Sequence, residues 1–210
     1  GRLVGNGLEV EESILGLLGH GPDDLMEVTH RLAASMFLLA GKVQSITEGE
    51  ELSKETIQNG DAWTMFLTLV EAQQGDPNQL KSWVQKWETD PTSHLYSPAK
   101  THTVQSPETG WLTHCDCKEL GFIATELGAG RAKMDDTIDP AAGFECLKKL
   151  GDPVKKGEPI AHLYGHEQAS MEALGSRYLS AWRITSQKEG TNQSSAPYTP
   201  PPSIHGSMNS

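Results

Sequence analysis

Basic side chains are in short supply: 17 Lys and Arg stand against 28 Asp and Glu, a formal net charge of -11. A surface that neutralises nucleic-acid phosphates needs clustered cations, so this balance argues against a nucleic-acid binder. It leaves room for a small phosphorylated ligand, which a few local cations can hold. Cysteine is scarce too. Cys115, Cys117 and Cys146 are odd in number and are not spaced as a secreted disulfide framework. They read as reduced thiols, and the expected location is the cytoplasm. No run of apolar residues approaches the length of a membrane span, and no secretory signal precedes the first helix. Aromatic residues make up only 6% and apolar residues 36%, enough for a core but not a generous one. The chain of 210 residues suits one large domain or two small ones. It opens at Gly1 in a stretch that already reads as mid-domain, and is therefore read as a fragment.

What is present falls into three sections. Residues 1–90 read as helical. Leu8 to Leu18 is apolar-periodic, carries Glu9, Glu11 and Glu12 in its first turns and stops at Gly19. A second helix opens at Pro22-Asp23-Asp24 and closes at Gly41. Its stripe is Leu25, Val28, Leu32, Met36 and Leu39, expected to be core or interface. Glu48 to Asn59, Asp61 to Gln74 and Asn78 to Trp87 complete a helical layer with short loops.

Residues 91–186 read as mixed helix and strand, so the fold class is α+β. Strands are expected over Leu95 to Val104 and Gly110 to Cys115, on either side of the turn Ser106 to Gly110. Glu119 to Leu127 reads as a helix closed by Gly128, followed by a Gly- and Asp-rich loop to Asp139. A hairpin is expected next. Gly143 to Leu150 and Glu158 to Tyr164 would be its strands, and Gly151 to Gly157 its tight connection. A last helix is expected from Glu167 to Thr185, with Met171, Leu174, Tyr178 and Trp182 on one stripe. Residues 187–210 are rich in Ser, Pro, Asn, Gly and Thr and read as a disordered tail.

Few local motifs carry chemistry. There is no Gly-x-Ser-x-Gly and no phosphate-loop Lys motif, and the eight histidines pair with no nucleophile motif. In His114-Cys115-Asp116-Cys117, a strand would place Cys115 and Cys117 on one face and His114 and Asp116 on the other, which does not make a tetrahedral metal set. Gly128-Ala129-Gly130 alone is a weak signal, and by itself reads as a helix end followed by a surface loop.

The order of the pieces is more informative. Leu127-Gly128-Ala129-Gly130-Arg131 is followed by Asp136-Thr137-Ile138-Asp139-Pro140-Ala141-Ala142-Gly143. Gly151-Asp152-Pro153-Val154-Lys155-Lys156-Gly157-Glu158-Pro159 comes next. This succession resembles the C-terminal domain of the thymidine and pyrimidine nucleoside phosphorylases. Gly1 to Glu12, containing Gly5-Asn6-Gly7-Leu8-Glu9-Val10-Glu11-Glu12, resembles the same family's helix entrance. The resemblance covers about residues 1–185.

It implies a two-domain, homodimeric parent with its active site in an interdomain cleft. There orthophosphate attacks the anomeric carbon of thymidine and thymine leaves, a reaction of pyrimidine salvage helped by proximity and by stabilisation of the leaving base. Thymidine rather than uridine is expected from the look of the helix entrance. The family's phosphate loop and base-gripping residues lie upstream of the part matched here. No catalytic or substrate-binding residue is carried over, and the chain alone is expected to be inactive. No organic cofactor is implied.

Two smaller transfers follow from the resemblance. A loop beside the cleft corresponds to Gly128, Gly130, Arg131 and Lys133, with the two cations facing the phosphate side or simply solvated on a mobile loop. A potassium ion in some bacterial members is held at positions matching the carbonyl of Leu3 and the carboxylate of Glu12, which otherwise simply faces a helix N-terminus. Two readings of other classes stay open. One is a non-catalytic dimerisation module. The other is a biotinyl- or lipoyl-carrier-like domain, for which Lys133-Met134 supplies half of the modification signature.

Overall fold

The structure, a computed structural model, describes residues 1–186 except Ala132 and Asp136; of Gln168 and Ala169 it describes the backbone only. The expected tail at 187–210 lies outside the described residues.

The helical layer forms largely where local signals place it. α1 (Asn6–Leu17) is followed by α2 (Asp23–Leu39), α3 (Ile46–Gln58), α4 (Asp61–Ala72) and α5 (Pro77–Thr89). Ser45 caps α3 by accepting from Glu48 N at 3.2 Å, while Glu48 reaches back to Gln44 N at 2.7 Å. That reciprocal pair starts α3 two residues before the expected Glu48. Asp76 caps α5 through Asn78 N, and Pro77 fits the first turn, where its missing N–H costs nothing. α2 packs on α3 where Gly49 lies under Ala34: a Cβ on Gly49 would come within 2.7 Å of Ala34 Cα. His30 Nδ1 meets Ser53 Oγ at 2.9 Å and Arg31 pairs with Glu50 at 2.8 Å across the same seam.

Two antiparallel sheets make up the rest. The first has the order β1 (Leu3–Val4), β4 (Gly143–Cys146), β6 (Pro159–Gly165), β2 (Lys100–Gln105). The second has the order β5 (Pro153–Val154), β3 (Gly110–Cys115), β7 (Trp182–Thr185). Between them in sequence lie α6 (Cys117–Ala124), a π-helical turn at Thr125–Ala129, and α7 (Gln168–Ser180). Val104, Leu112, Ile123, Phe144, Leu163 and Tyr178 belong to one fully buried cluster joining both sheets, α6 and α7.

Several expectations are corrected. The strand expected from Leu95 begins only at Lys100, because Pro98 cannot donate to a ladder and His94 and Leu95 are tied to α1 instead. β2 and β3, expected on either side of one turn, do not pair with each other; β2 pairs with β6, and β3 with β5 and β7. β4 and β6 do pair, from Gly143↔Tyr164 to Cys146↔Ala161. Their connection is not a tight turn, however. It crosses to the second sheet, where Pro153 and Val154 pair with Trp111 and Gly110.

The last helix stops at Ser180 rather than Thr185. Trp182–Thr185 is strand β7, paired with β3, and Trp182 still packs 6.3 Å from the Tyr178 ring. β3 ends at Cys115 and Cys117 opens α6, capped by Asp116, so the two thiols do not share a strand face; their Sγ atoms lie 3.8 Å apart. Burial pushes the Cys115 thiol up to about 12. Among the described residues no group of three or more His, Cys, Asp and Glu could hold a metal. The Leu25 to Leu39 stripe of α2 is not core: Val28, Leu32, Met36 and Leu39 are 43, 51, 69 and 76% exposed.

Candidate functional site

The two motif blocks, about 120 residues apart in sequence, meet in space. α1 enters through Gly5, whose φ of 140° suits only glycine and whose amide is held by Glu9 Oε1 at 3.1 Å. A Cβ on Gly5 would sit 2.3 Å from the Ala142 carbonyl, and one on Gly143 2.0 Å from the Val4 carbonyl. The two backbones therefore touch because neither carries a side chain at the crossing. Gly7 N donates to the Pro140 carbonyl at 3.0 Å, and the Asn6 side-chain amide donates to the Ala129 carbonyl. Both ends of the 128–139 loop are thus tied to the first turn of α1.

Further bonds close the base of this loop. Asp139 N donates to the Gly128 carbonyl at 2.9 Å, and the Asp139 carboxylate accepts from Ala141 N at 2.9 Å and meets His166 Nε2 at 2.7 Å. Gly128 carries φ 112°, a conformation that breaks the helix and turns the chain into the loop. Gly130 packs against Thr125, whose hydroxyl would lie 2.8 Å from an added Cβ. On the helix side, Arg177 binds both Glu119 and Glu126, fastening α7 to α6 and the π-turn. Arg131 is exposed and Lys133 lies in the loop between the π-turn and β4, rather than at the β4–β6 connection. A cavity of about 220 Å³ opens at the loop base between Glu126, Leu127, His166, Glu167 and Met171.

Leu3 and Glu12 lie on the other side of the α1 entrance. Leu3 pairs with Glu145 in the sheet, and Glu12, nearly fully buried, accepts from Arg2 N at 2.6 Å and Leu3 N at 3.2 Å through Oε1. The carboxylate thus already anchors β1 to α1. A buried carboxylate beside strand backbone is the oxygen chemistry a hard cation takes, although such an ion needs several more oxygen ligands, about six to eight in calcium sites. Any others here would be backbone carbonyls or come from elsewhere, since the described residues bring no cluster of acidic side chains to this point.

A partly buried polar pair, not legible in the sequence, joins the layers. Glu11 accepts from Leu95 N at 2.7 Å and meets His94 Nδ1 at 2.9 Å, 83 residues away. The hydrogen bond to Glu11 raises the His94 pKa above its usual value, against the opposing effect of burial. The His94 ring stands edge-on to Tyr164 at 5.0 Å; Tyr164 Oη donates to Glu145 at 3.2 Å, and Glu145 accepts from Arg2 at 2.6 Å. Burial, with Glu145 beside it, pushes the Tyr164 phenol upward, so it stays a donor. The short motif repertoire gives no warning of this network, because each partner is an ordinary polar residue in its own element.

With the geometry in view, the relationship to known proteins becomes specific. Residues 111–185 match the family described as pyrimidine nucleoside phosphorylase C-terminal domain. The chain is 35% identical over 178 residues to a pyrimidine-nucleoside phosphorylase of Bacillus subtilis (strain 168), covering 85% of this chain and 39% of the relative. It is 34% identical over 168 residues to that of Geobacillus stearothermophilus, covering 80% of this chain and 37% of the relative. The Staphylococcus haemolyticus (strain JCSC1435) protein of the same description matches at the same 34% over 168 residues. The chain belongs to the thymidine/pyrimidine nucleoside phosphorylase family and represents its C-terminal region. It spans less than two fifths of the length of these relatives. Among the described residues, no helix is long and apolar enough to cross a membrane.

Proposed function

We propose that this chain forms one wall of the nucleoside cleft of a pyrimidine nucleoside phosphorylase acting on thymidine, and that it does not turn over substrate alone. The observation that carries the reading is the crossing of Gly5–Gly7 with Pro140–Gly143, which ties the 128–139 loop to the start of α1. A loop fastened at both ends can present Arg131 and Lys133 to an anion without moving the sheet behind it. In the reaction, the bond from C1′ to the pyrimidine nitrogen breaks and the base keeps the electron pair, taking up a proton. A phosphate oxygen bonds to C1′, giving thymine and 2-deoxyribose 1-phosphate. Two loop cations would favour phosphate at the cleft, while the groups that orient phosphate and base come from the part of the family chain outside this one. Homodimeric assembly and a cytoplasmic location belong to the same reading.

The test is phosphate-dependent release of base, run on this chain and on a chimera in which it replaces the matched region of the Bacillus subtilis relative. Thymidine and uridine are compared in parallel. Activity in the chimera that favours thymidine supports the reading; equal or greater use of uridine removes the thymidine preference. Potassium held by the Leu3 carbonyl and Glu12 is a further part of the proposal. Equal melting temperatures in potassium and sodium chloride at the same ionic strength would remove it.

A further inference from the structure

Cys115 and Cys117 make a thiol pair that the cleft reading leaves unused. β3 ends at Cys115, Asp116 turns the chain, and Cys117 opens α6. The corner is held on several sides. Cys115 pairs with Trp182 of β7, and Asp116 N donates to the Ala181 carbonyl at 2.8 Å. Asp116 Oδ1 accepts from Lys118 N and Glu119 N, each at 3.1 Å. On that corner Cys117 Sγ faces Cys115 Sγ at 3.8 Å. A disulfide needs Cα atoms about 4.4–6.8 Å apart and sulfurs about 2.05 Å apart. Residues i and i+2 of a straight strand already stand about 6.6 Å apart, and φ -83° with ψ 87° at Asp116 shortens that span. Rotation about the two Cα–Cβ bonds is then what closes the gap between the sulfurs.

The two thiols differ in access. Cys117 is exposed and Cys115 half-buried. Burial, and then the hydrogen bond with Cys117, pushes the Cys115 thiol up to about 12, so it waits as the protonated partner. Cys146 is engaged elsewhere: its Sγ lies 3.3 Å from Tyr178 Oη, and burial raises its pKa as well. Two thiols fall short of a four-ligand zinc set, and among the described residues no third His, Cys, Asp or Glu joins them.

We propose that Cys115 and Cys117 form a reversible dithiol–disulfide site whose substrate is a small water-borne disulfide of the glutathione class. The Cys117 thiolate attacks one sulfur of the small disulfide. That S–S bond breaks, one small thiol leaves with the proton Cys117 gave up, and Cys117 carries a mixed disulfide. This removes the hydrogen bond that helped keep Cys115 protonated. Cys115 then loses its proton and attacks Cys117 Sγ, expelling the second small thiol, which takes up that proton. Two electrons pass to the small disulfide, the protein gains one S–S bond, and two small thiols are released. The site lies outside the crossing of Gly5–Gly7 with Pro140–Gly143, and its test needs no phosphorylase activity.

The folded chain is incubated with glutathione disulfide, then unfolded, alkylated with iodoacetamide, digested with trypsin and weighed by mass spectrometry. Cys115 and Cys117 share the peptide 101–118, whereas Cys146 lies in 134–148. The expected peptide 101–118 is two hydrogens lighter than its reduced form and carries no alkyl group, while Cys146 is alkylated. Dithiothreitol before alkylation should restore both alkyl groups to 101–118. Cys115→Ser should arrest the reaction at a glutathionyl adduct on Cys117, and Cys117→Ser should slow the loss of the Cys115 thiol about tenfold. Two alkyl groups on 101–118 after treatment would overturn the proposal, as would a stable glutathionyl adduct on Cys117 of the unsubstituted chain. A link between 101–118 and 134–148 would overturn it in favour of Cys146.

Discussion

The sheet region and the helical layer solve the burial problem differently. In the sheet region, Phe144, Leu163, Ile160, Leu112, Met171 and Tyr178 all lie almost wholly out of solvent, held between two sheets and two helices. In the helical layer, α2 buries only Ala34, α5 only Trp83 and α4 nothing. One region is complete within the chain, while the other shows apolar surface as though half of its packing were still to come. One chain can thus be densely packed at one end and open at the other.

The largest expected contrast sets the two regions directly against each other. Tyr178→Ala should cost about 3–5 kcal/mol in chemical denaturation, through lost burial and the cavity left behind. Met36→Ala, on the open stripe, should stay within about 0.5 kcal/mol. Equal losses at the two positions would erase the distinction. Next in size is the pair that joins the regions. Glu11→Ala strands His94 and the Leu95 amide in a buried setting and should cost about 3 kcal/mol, whereas Glu11→Gln keeps an acceptor and should cost less.

Gly128→Ala comes lower. The added Cβ meets only ordinary contacts at 3.4 Å and beyond, so the penalty is backbone strain at φ 112°, about 1–2 kcal/mol, seen as a small drop in melting temperature.

The smallest effect is a pH dependence. Because Glu11 raises the folded pKa of His94, its contribution is complete below the unfolded value of 6.5 and fades as pH climbs through the higher folded value. Glu145 acts in the same direction. Melting temperature should therefore lose a component as pH rises above about 6.5, and His94→Gln should remove that component. An identical pH profile in the variant would contradict the assignment.

The helical layer was legible because its signals are local. Gly19 and Gly41 mark breaks in it and a 3.6-residue period its faces, while the caps at Ser45 and Asp76 start α3 and α5 slightly earlier than the periodicity suggests. Periodicity located the α2 stripe but could not say which side would be covered, since that depends on a partner surface. The sheets were less legible because pairing is nonlocal. A two-residue strand such as β1 has no pattern of its own, and β5 is defined only by its contact with β3. Trp182 continues an apolar helical stripe, so periodicity alone extends the helix to Thr185, whereas pairing with β3 makes Trp182–Thr185 a strand. At the candidate site, the motif blocks were visible but not the contact between Gly5–Gly7 and Pro140–Gly143, which needs the folded chain to appear. The Glu11–His94 pair was invisible for the same reason.

The central claim, that this chain completes a phosphorylase cleft without containing its chemistry, is tested most directly by phosphate-dependent release of thymine from thymidine. The expected result is no release from the chain alone, release from the chimera with the Bacillus subtilis relative, and a several-fold rise in the KM for phosphate when Arg131 and Lys133 are both changed to Ala in that chimera. Release of thymine by the 210-residue chain on its own would contradict the account.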